Sequence, residues 1–235
     1  ESDAPGNTIS GVSGRVFPQA VLEWSLPLAR KNGRFTQIVE PIVSFVMAPS
    51  SQNPDGIPNE DSLSFEFDDT NLFSESRFAG IDRVEGGSRV TYGLNSGVFG
   101  LKYGFSSFFI GQSYRFTKDN DFGTDTGLAD HFSDVVGRVE ISLKKYVNAL
   151  YRFRLGKDDF TSRRNELQAT VGVPKFRLAV NYLSIDQQNS SDILSPEDEF
   201  RDREEISIGF KSQATQSWSS GANTRRDLTS GGGAL

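Results

Sequence analysis

The stretch GRVEISLKKYVNALYRFRL, residues 137–155, decides the fold. It sets Gly137, Val139, Ile141 and Leu143 against Arg138, Glu140, Ser142 and Lys144. After a short connection from Lys145 to Asn148, Ala149, Tyr151, Phe153 and Leu155 alternate with Leu150, Arg152 and Arg154. A repeat of two belongs to a β-strand, whose side chains point alternately to opposite faces. A helix would return apolar residues every three or four positions, and no segment of the chain does so. Two strands joined this closely form an antiparallel hairpin.

The same alternation recurs on both sides. Upstream it covers residues 20–28, 37–47, 88–95 and 101–116; downstream it covers 165–172, 176–182, 205–211 and, weakly, 216–224 around Trp218. Pro27 cannot donate to a ladder, so it belongs at a strand end or edge, and Pro41 is a second awkward proline. Lys31 to Arg34 carries Asn-Gly at its centre and reads as a tight turn. The alternation slips at Phe108-Phe109, which predicts a bulge there. Connections between these strands alternate short and long. Short turns at one end and long loops at the other are the mark of an outer-membrane β-barrel, built of tilted strands about ten residues long. The expected fold is therefore all-β, an antiparallel meander forming part of a large transmembrane barrel with long extracellular loops. Glu23, Arg138, Glu140, Lys144, Arg152, Arg154 and Glu166 fall on the polar face and are expected to line a wet interior. Trp24, Tyr92, Phe116, Tyr146 and Tyr182 lie towards strand ends, as interfacial girdles require. A soluble antiparallel sheet with one packed face gives the same alternation and stays as an alternative.

The chain has 235 residues, a net charge of −6 and a mean hydropathy of −0.42. Length alone allows one or two domains. At 36% hydrophobic it is thin for one large soluble core and suits apolar residues spread over many strands. The mild acidity and the lack of a basic stripe argue against a nucleic-acid partner. There is no cysteine to report on redox compartment and no apolar run of about 18 residues to form a membrane helix. Glu1 opens the chain without a signal peptide, and glycines 231–233 stand close to its end. Both ends read as those of an internal or processed piece. Residues 1–15 are expected to form a polar leader, and 16–235 a partial barrel of about ten strands with a surface loop at 48–87.

That loop is unlike the others. From Glu60 to Glu85 it carries eight acids against two bases, Arg77 and Arg83, with Leu72, Phe73 and Phe78 interspersed. Its aromatic content favours an ordered cap on one end of the protein over a disordered linker. In RFAGIDR, residues 77–83, we read a candidate loop-cap motif of Arg77, Phe78, Gly80, Asp82 and Arg83. Gly80 is expected to take a turn with positive φ, while Arg77 or Arg83 pairs an acid of the same loop. The expected role is structural.

Catalytic and metal chemistry find little footing. His131, the sole histidine, has Ser133 and Asp134 beside it, but neighbours in a loop do not make a triad. One histidine and no cysteine leave no zinc site. Asp119, Asp121 and Asp125 around Gly123 miss the EF-hand spacing, so a solvated acidic loop is expected, as for Asp55, Glu60 and Asp61. Asp68/Asp69 and Asp158/Asp159 are adjacent in sequence, not set across a cleft as glycoside hydrolysis needs. Gly86-Gly87 is not followed by the Lys-Ser/Thr of a phosphate loop. Arg152 and Arg154 share a face and could meet phosphate or carboxylate; pairing with Glu140 and Glu166 is the expected use. No catalytic residue, metal or cofactor is assigned.

FDDTNLFSESRFAGIDRVEGGSRVTYGL, residues 67–94, resembles the long surface loop and following strand of the LPS-assembly outer-membrane protein family (LptD/OstA), in its alphaproteobacterial form. FPQAVLEWSLPL (17–28) and IVEPIVSFVMAP (38–49) resemble family strands. FIGQSYRF (109–116), SRRNELQ (162–168) and ANTRRDLTSGGGAL (222–235) follow in the family's order. The resemblance implies a component that receives lipopolysaccharide from a periplasmic bridge protein and places it in the outer leaflet, without catalysis. It implies a lipoprotein plug in the barrel lumen as a partner, and a lateral seam between first and last strands, neither of which is expected among the strands of this chain. Family disulfides cannot form in this chain. Such barrels reach roughly 26 strands, so about ten should neither close nor transport alone. Another outer-membrane barrel, a porin or a translocator, is the alternative within the class.

Overall fold

The computed structural model describes residues 14–50, 53, 57, 59–62, 66–118, 122–123, 126–173, 175–186, 203–213, 215 and 217–229. Most of the leader, Asp55, the three aspartates around Gly123 and most of the connection after residue 186 lie outside the described residues. Eleven strands follow in order: β1 Ala20–Ser25, β2 Leu28–Asn32, β3 Phe35–Met47, β4 Arg89–Gly100, β5 Gly104–Arg115, β6 Val135–Leu143, β7 Val147–Leu155, β8 Ser162–Val173, β9 Phe176–Ile185, β10 Arg203–Gln213 and β11 Ser219–Asp227. They make one sheet; β1 and β2 both pair antiparallel with β3, and from β3 on each strand is antiparallel to the next. Short turns stand at one end; residues 48–88, 116–134, 156–161 and 186–202 connect strands at the other.

The first expected strand is two. Ser25 pairs with Ile42 and Leu28 with Val39, and Pro27 separates them. Proline lacks the N–H the ladder needs, and Pro41 on β3 lacks it too. One hydrogen bond, from Leu26 N–H to the Pro41 carbonyl at 3.2 Å, holds the step. The strand expected to end at residue 95 runs on to Gly100, and the next begins at Gly104. Gly104 has φ +106°, and a Cβ there would sit 1.9 Å from the Ser142 carbonyl oxygen, so only glycine fits the corner.

No bulge occurs at Phe108-Phe109. Pairing to β4 and to β6 runs unbroken through both. The alternation slips there because Phe109, on the otherwise polar face, is 7% exposed beneath a loop, while Phe108 on the other face stays in view. The register shift in this wall lies at Arg154/Leu155, between β7 and β8.

Residues directly opposite in a ladder share a face. One row runs from Glu40 through Asn95, Phe109, Arg138 and Arg152 to Glu166. This loop-covered face holds the polar residues. The other carries Leu22, Trp24, Leu28, Leu94, Phe108 and Val171, all at least 38% exposed. Among the described residues, more polar than apolar side chains are buried, including Arg89, Arg115, Arg154, Glu85 and Asp69. A soluble protein shows the reverse, and an apolar surface of this extent marks contact with membrane or partner.

Aromatic residues gather at both ends of the apolar face. Phe45, Tyr114, Phe116 and Phe132 meet at the loop end, and Phe35 meets Tyr103 at the turn end. Eleven residue steps from Tyr103 to Tyr114, at about 3.3 Å each, span ~36 Å. A strand tilted near 45° converts that to ~25 Å, the height of an outer-membrane apolar band. No helix among the described residues is long and apolar enough to cross a membrane.

Candidate functional site

The described residues of the 48–88 loop do not stand above the wall but lie against its polar face. Gly87 N–H donates to the Pro49 carbonyl at 2.7 Å and closes the mouth of the loop. Between these ends, Phe67 and Leu72 are fully buried against Phe109 and Val136 of the wall and against Phe122 and Leu128 of residues 116–134. Gly111 makes the room: a Cβ there would lie 2.4 Å from Leu72 Cδ2. The contacts reach from the Arg89/Arg115 row to the Arg138/Arg152 row. On β5 that is six residue steps, from Arg115 to Phe109, so the loop penetrates ~20 Å along the strands.

Carboxylates then meet arginines at three places. Glu85 is wholly buried and lies among Arg77, Arg89 and Arg115. Arg77 grips it with Nε and Nη2, Arg115 adds an Nη2 contact, and Arg89 Nη1 stands at 3.5 Å. Burial alone would push the Glu85 carboxyl up; Arg77, Arg89 and Arg115 overcome it and hold it below the ordinary value. Asp69 sits between Arg138 at 3.0 Å and Arg152 at 3.2 Å. Arg164 takes Asp68 at 3.2 Å, Glu66 at 3.3 Å and Glu166 at 2.9 Å, while Arg154 faces Asp134 at 3.6 Å. Burial raises the carboxyls of Asp69, Glu66 and Asp134, against the pull of these arginines.

The residues singled out from sequence take specific places. Arg77 pairs an acid of its own loop, Glu85, and Phe78 stacks on Phe122 at 4.5 Å between centroids. Gly80 does not take a positive φ. It is needed for close approach, since a Cβ there would fall 2.0 Å from the Asp61 carboxylate. That carboxylate accepts from Ile81 and Asp82 N–H, and Asp82 Oδ2 accepts in return from Glu60 and Asp61 N–H. Among the described residues, Arg83 reaches the Asn53 carbonyl, at 3.4 Å. Glu23 shares the polar face opposite Ser44. Arg138, Glu140, Arg152, Arg154 and Glu166 do as well, and Arg152 meets Glu166 at 3.5 Å. Arg154 goes to Asp134 and not to Glu140. Lys144 leaves the wall: it sits in the β6–β7 turn at φ 55°, its Nζ over the Tyr103 ring.

Glu85, Arg89, Arg115 and Arg164 were not foreseen as a site. A signal existed for one pair, Glu85 and Arg89 at a spacing of four, but it is a helical cue and no helix forms. His131 is not poised for catalysis: Nδ1 meets the Arg115 carbonyl at 2.8 Å and its ring stacks on Tyr114. Ser133 Oγ is taken up by the Asp134 carbonyl and Ser113 N–H. Among the described residues no group of His, Asp or Glu is arranged to hold a metal ion.

Comparison with known proteins agrees with this architecture. The family model for LPS transport system D, LptD, matches residues 1–218. An LPS-assembly protein LptD of Nitrosomonas eutropha is 30% identical over 129 residues, covering 54% of this chain and 17% of that protein. One of Yersinia enterocolitica is 29% identical over 156 residues, 62% of this chain and 18% of the relative. One of Acinetobacter baumannii is 35% identical over 104 residues, 43% and 12% respectively. The chain thus spans less than a fifth of the length of these relatives. With its apolar face outward and its polar face filled by a loop, the meander is part of an outer-membrane β-barrel wall, and the chain belongs to the LPS transport system D family.

Proposed function

We propose that this chain is a wall segment of an outer-membrane translocon that inserts lipopolysaccharide into the outer leaflet of a Gram-negative cell. The observation that carries the reading is the inside-out sheet: an apolar band ~25 Å high backed by a buried arginine-rich face. A glycolipid has to bring a charged, sugar-rich head past hydrocarbon while its acyl chains stay in it. A polar interior suits the head, and an apolar exterior suits the chains. Nothing in that task makes or breaks a covalent bond, so we read the protein as a transporter and not an enzyme. A periplasmic bridge protein as donor and a lipoprotein plug in the lumen complete the proposed machine. The motif of Arg77, Phe78, Gly80, Asp82 and Arg83 serves in this reading to cap the loop that fills the interior near this wall.

The test is complementation. In cells depleted of the native protein, the full-length protein should restore surface lipopolysaccharide and exclusion of large antibiotics. A version with residues 66–85 replaced by a short Gly/Ser linker should assemble in the outer membrane yet leave the barrier leaky. Normal lipopolysaccharide display without the full-length protein would defeat the proposal.

A further inference from the structure

The ladder sets arginine directly opposite arginine three times on the polar face: Arg89 with Arg115, Arg138 with Arg152, and Arg154 with Arg164. Like charges in directly opposed positions repel, so such a pair is stable only with an anion between or beside it. Here that anion is always a carboxylate, and in each case the 66–85 segment supplies at least one. The hydrogen-bond fit is incomplete at all three pairs, Arg89 Nε included. Arg164 Nε is buried and makes no hydrogen bond, while Arg152 Nε and Asp69 Oδ1 at 3.2 Å, Arg154 Nε and Asp134 Oδ2 at 3.6 Å, and Arg164 Nη1 and Glu66 Oε1 at 3.3 Å meet as ion pairs without hydrogen-bond alignment. Arg138 and Arg152 also keep 34% and 23% of their side chains open, so this end of the arginine array is reachable without dismantling the wall.

We propose that Arg138/Arg152 and Arg154/Arg164 form a seat for phosphate groups, which the loop carboxylates Glu66, Asp68 and Asp69 occupy as a built-in stand-in. The two pairs lie two residues apart along β7, ~7 Å, so they present four guanidiniums in a staggered row across β6, β7 and β8. Guanidinium forks match tetrahedral oxyanions, and a phosphate dianion offers more acceptor oxygens than one carboxylate. An incoming phosphate would therefore align on guanidinium N–H groups that the carboxylates meet off-axis. The loop would leave as the anion arrives, which makes it a competitor for the wall and not only a cover. The choice of phosphate rests on the lipopolysaccharide reading above; the seat itself rests on the ladder register.

The experiment uses the full-length protein, purified in detergent, with inorganic pyrophosphate as probe. A Glu66→Gln, Asp68→Asn, Asp69→Asn variant should bind pyrophosphate at least tenfold tighter than wild type by calorimetry. Adding Arg138→Gln and Arg152→Gln should abolish the gain. Affinity equal to wild type in the folded triple variant, or a gain that survives loss of both arginines, overturns the proposal. Should the triple variant not fold, wild type decides: pyrophosphate should lower hydrogen-exchange protection of residues 66–85, whereas sodium chloride at equal ionic strength should not. Unchanged protection overturns the proposal. Displacement of pyrophosphate by intact lipopolysaccharide but not by its dephosphorylated form assigns the seat to a lipid headgroup; displacement by neither assigns it to free phosphate. Failure of pyrophosphate to bind removes the seat and leaves the complementation test untouched.

Discussion

Replacing Glu85 by glutamine should release the loop. The carboxylate is fully buried, and the side chains of Arg77, Arg89 and Arg115 around it keep only 1–3% of their exposure. Glutamine keeps the shape but not the charge, leaving three guanidiniums facing one another. Removing one partner of a buried ion pair costs about 3–5 kcal/mol. At ~1.4 kcal/mol per tenfold, the docked state loses two to four powers of ten relative to the released one. The wall hydrogen bonds of β4 and β5 are not touched, so the loss falls on residues 66–88 and not on the barrel. Hydrogen exchange on the full-length protein in micelles reads it directly: amides of 66–88 should exchange at least a hundredfold faster, while those of β6 and β7 hold. Trypsin should then cut after Arg77 and Arg83. Loop protection within threefold of wild type would refute the idea that Glu85 holds the assembly together.

Four further outcomes follow from the same geometry. Leu72→Ala removes a fully buried side chain from the pocket over Gly111 and should weaken loop docking by about 2–5 kcal/mol, read by the same exchange; wild-type protection would contradict it. Gly80→Ala forces the Asp61 carboxylate off the Ile81 and Asp82 amides, a loss of about 1–3 kcal/mol, and Asp61→Ala should cost about the same without adding to it. Loop docking should hold or strengthen as pH falls towards 5, because the raised carboxyls of Glu66 and Asp69 take up protons more readily in the docked state. Glu85 has the opposite sign: its lowered value gives stability that is present above the ordinary 4.5 and lost as pH falls through the docked-state value, so release should begin only below about 4.5 and Glu85→Gln should flatten that limb. Pro27→Val supplies a donor where β1 and β2 part, and amides 24–29 should gain about tenfold in protection; no gain would mean that Pro41 alone keeps the step open.

The wall was legible because alternation is local. Nothing beyond neighbours is needed to see that Val139 and Ile141 face one way and Arg138 and Glu140 the other. Pro27 was visible as a defect, but whether it ends a strand or splits one depends on what β3 offers opposite, and that is not written nearby. Phe109 misled for the opposite reason. Its face was set by the loop 37 residues before it in sequence, at Leu72, so a tertiary contact passed for a break in period. The loop's acidity and aromatic content point to an ordered cap but not to its seat, because Asp69 meets Arg138 and Arg152 only once three strands are in register. Gly80 was recognised as special, with the wrong cause: crowding by Asp61 and not backbone handedness.

The facing arginines have a consequence for anyone who would exchange surface loops among these proteins. A graft of residues 66–85 from a relative brings foreign acids to a panel whose positive residues stand in fixed ranks on β4 to β8. Unless its carboxylates land on the same ranks, the recipient inherits repulsion in the middle of its own barrel. Display scaffolds and vaccine chimaeras built on this region should therefore trade the loop together with Arg89, Arg115, Arg138, Arg152, Arg154 and Arg164, as a lock is replaced along with its key.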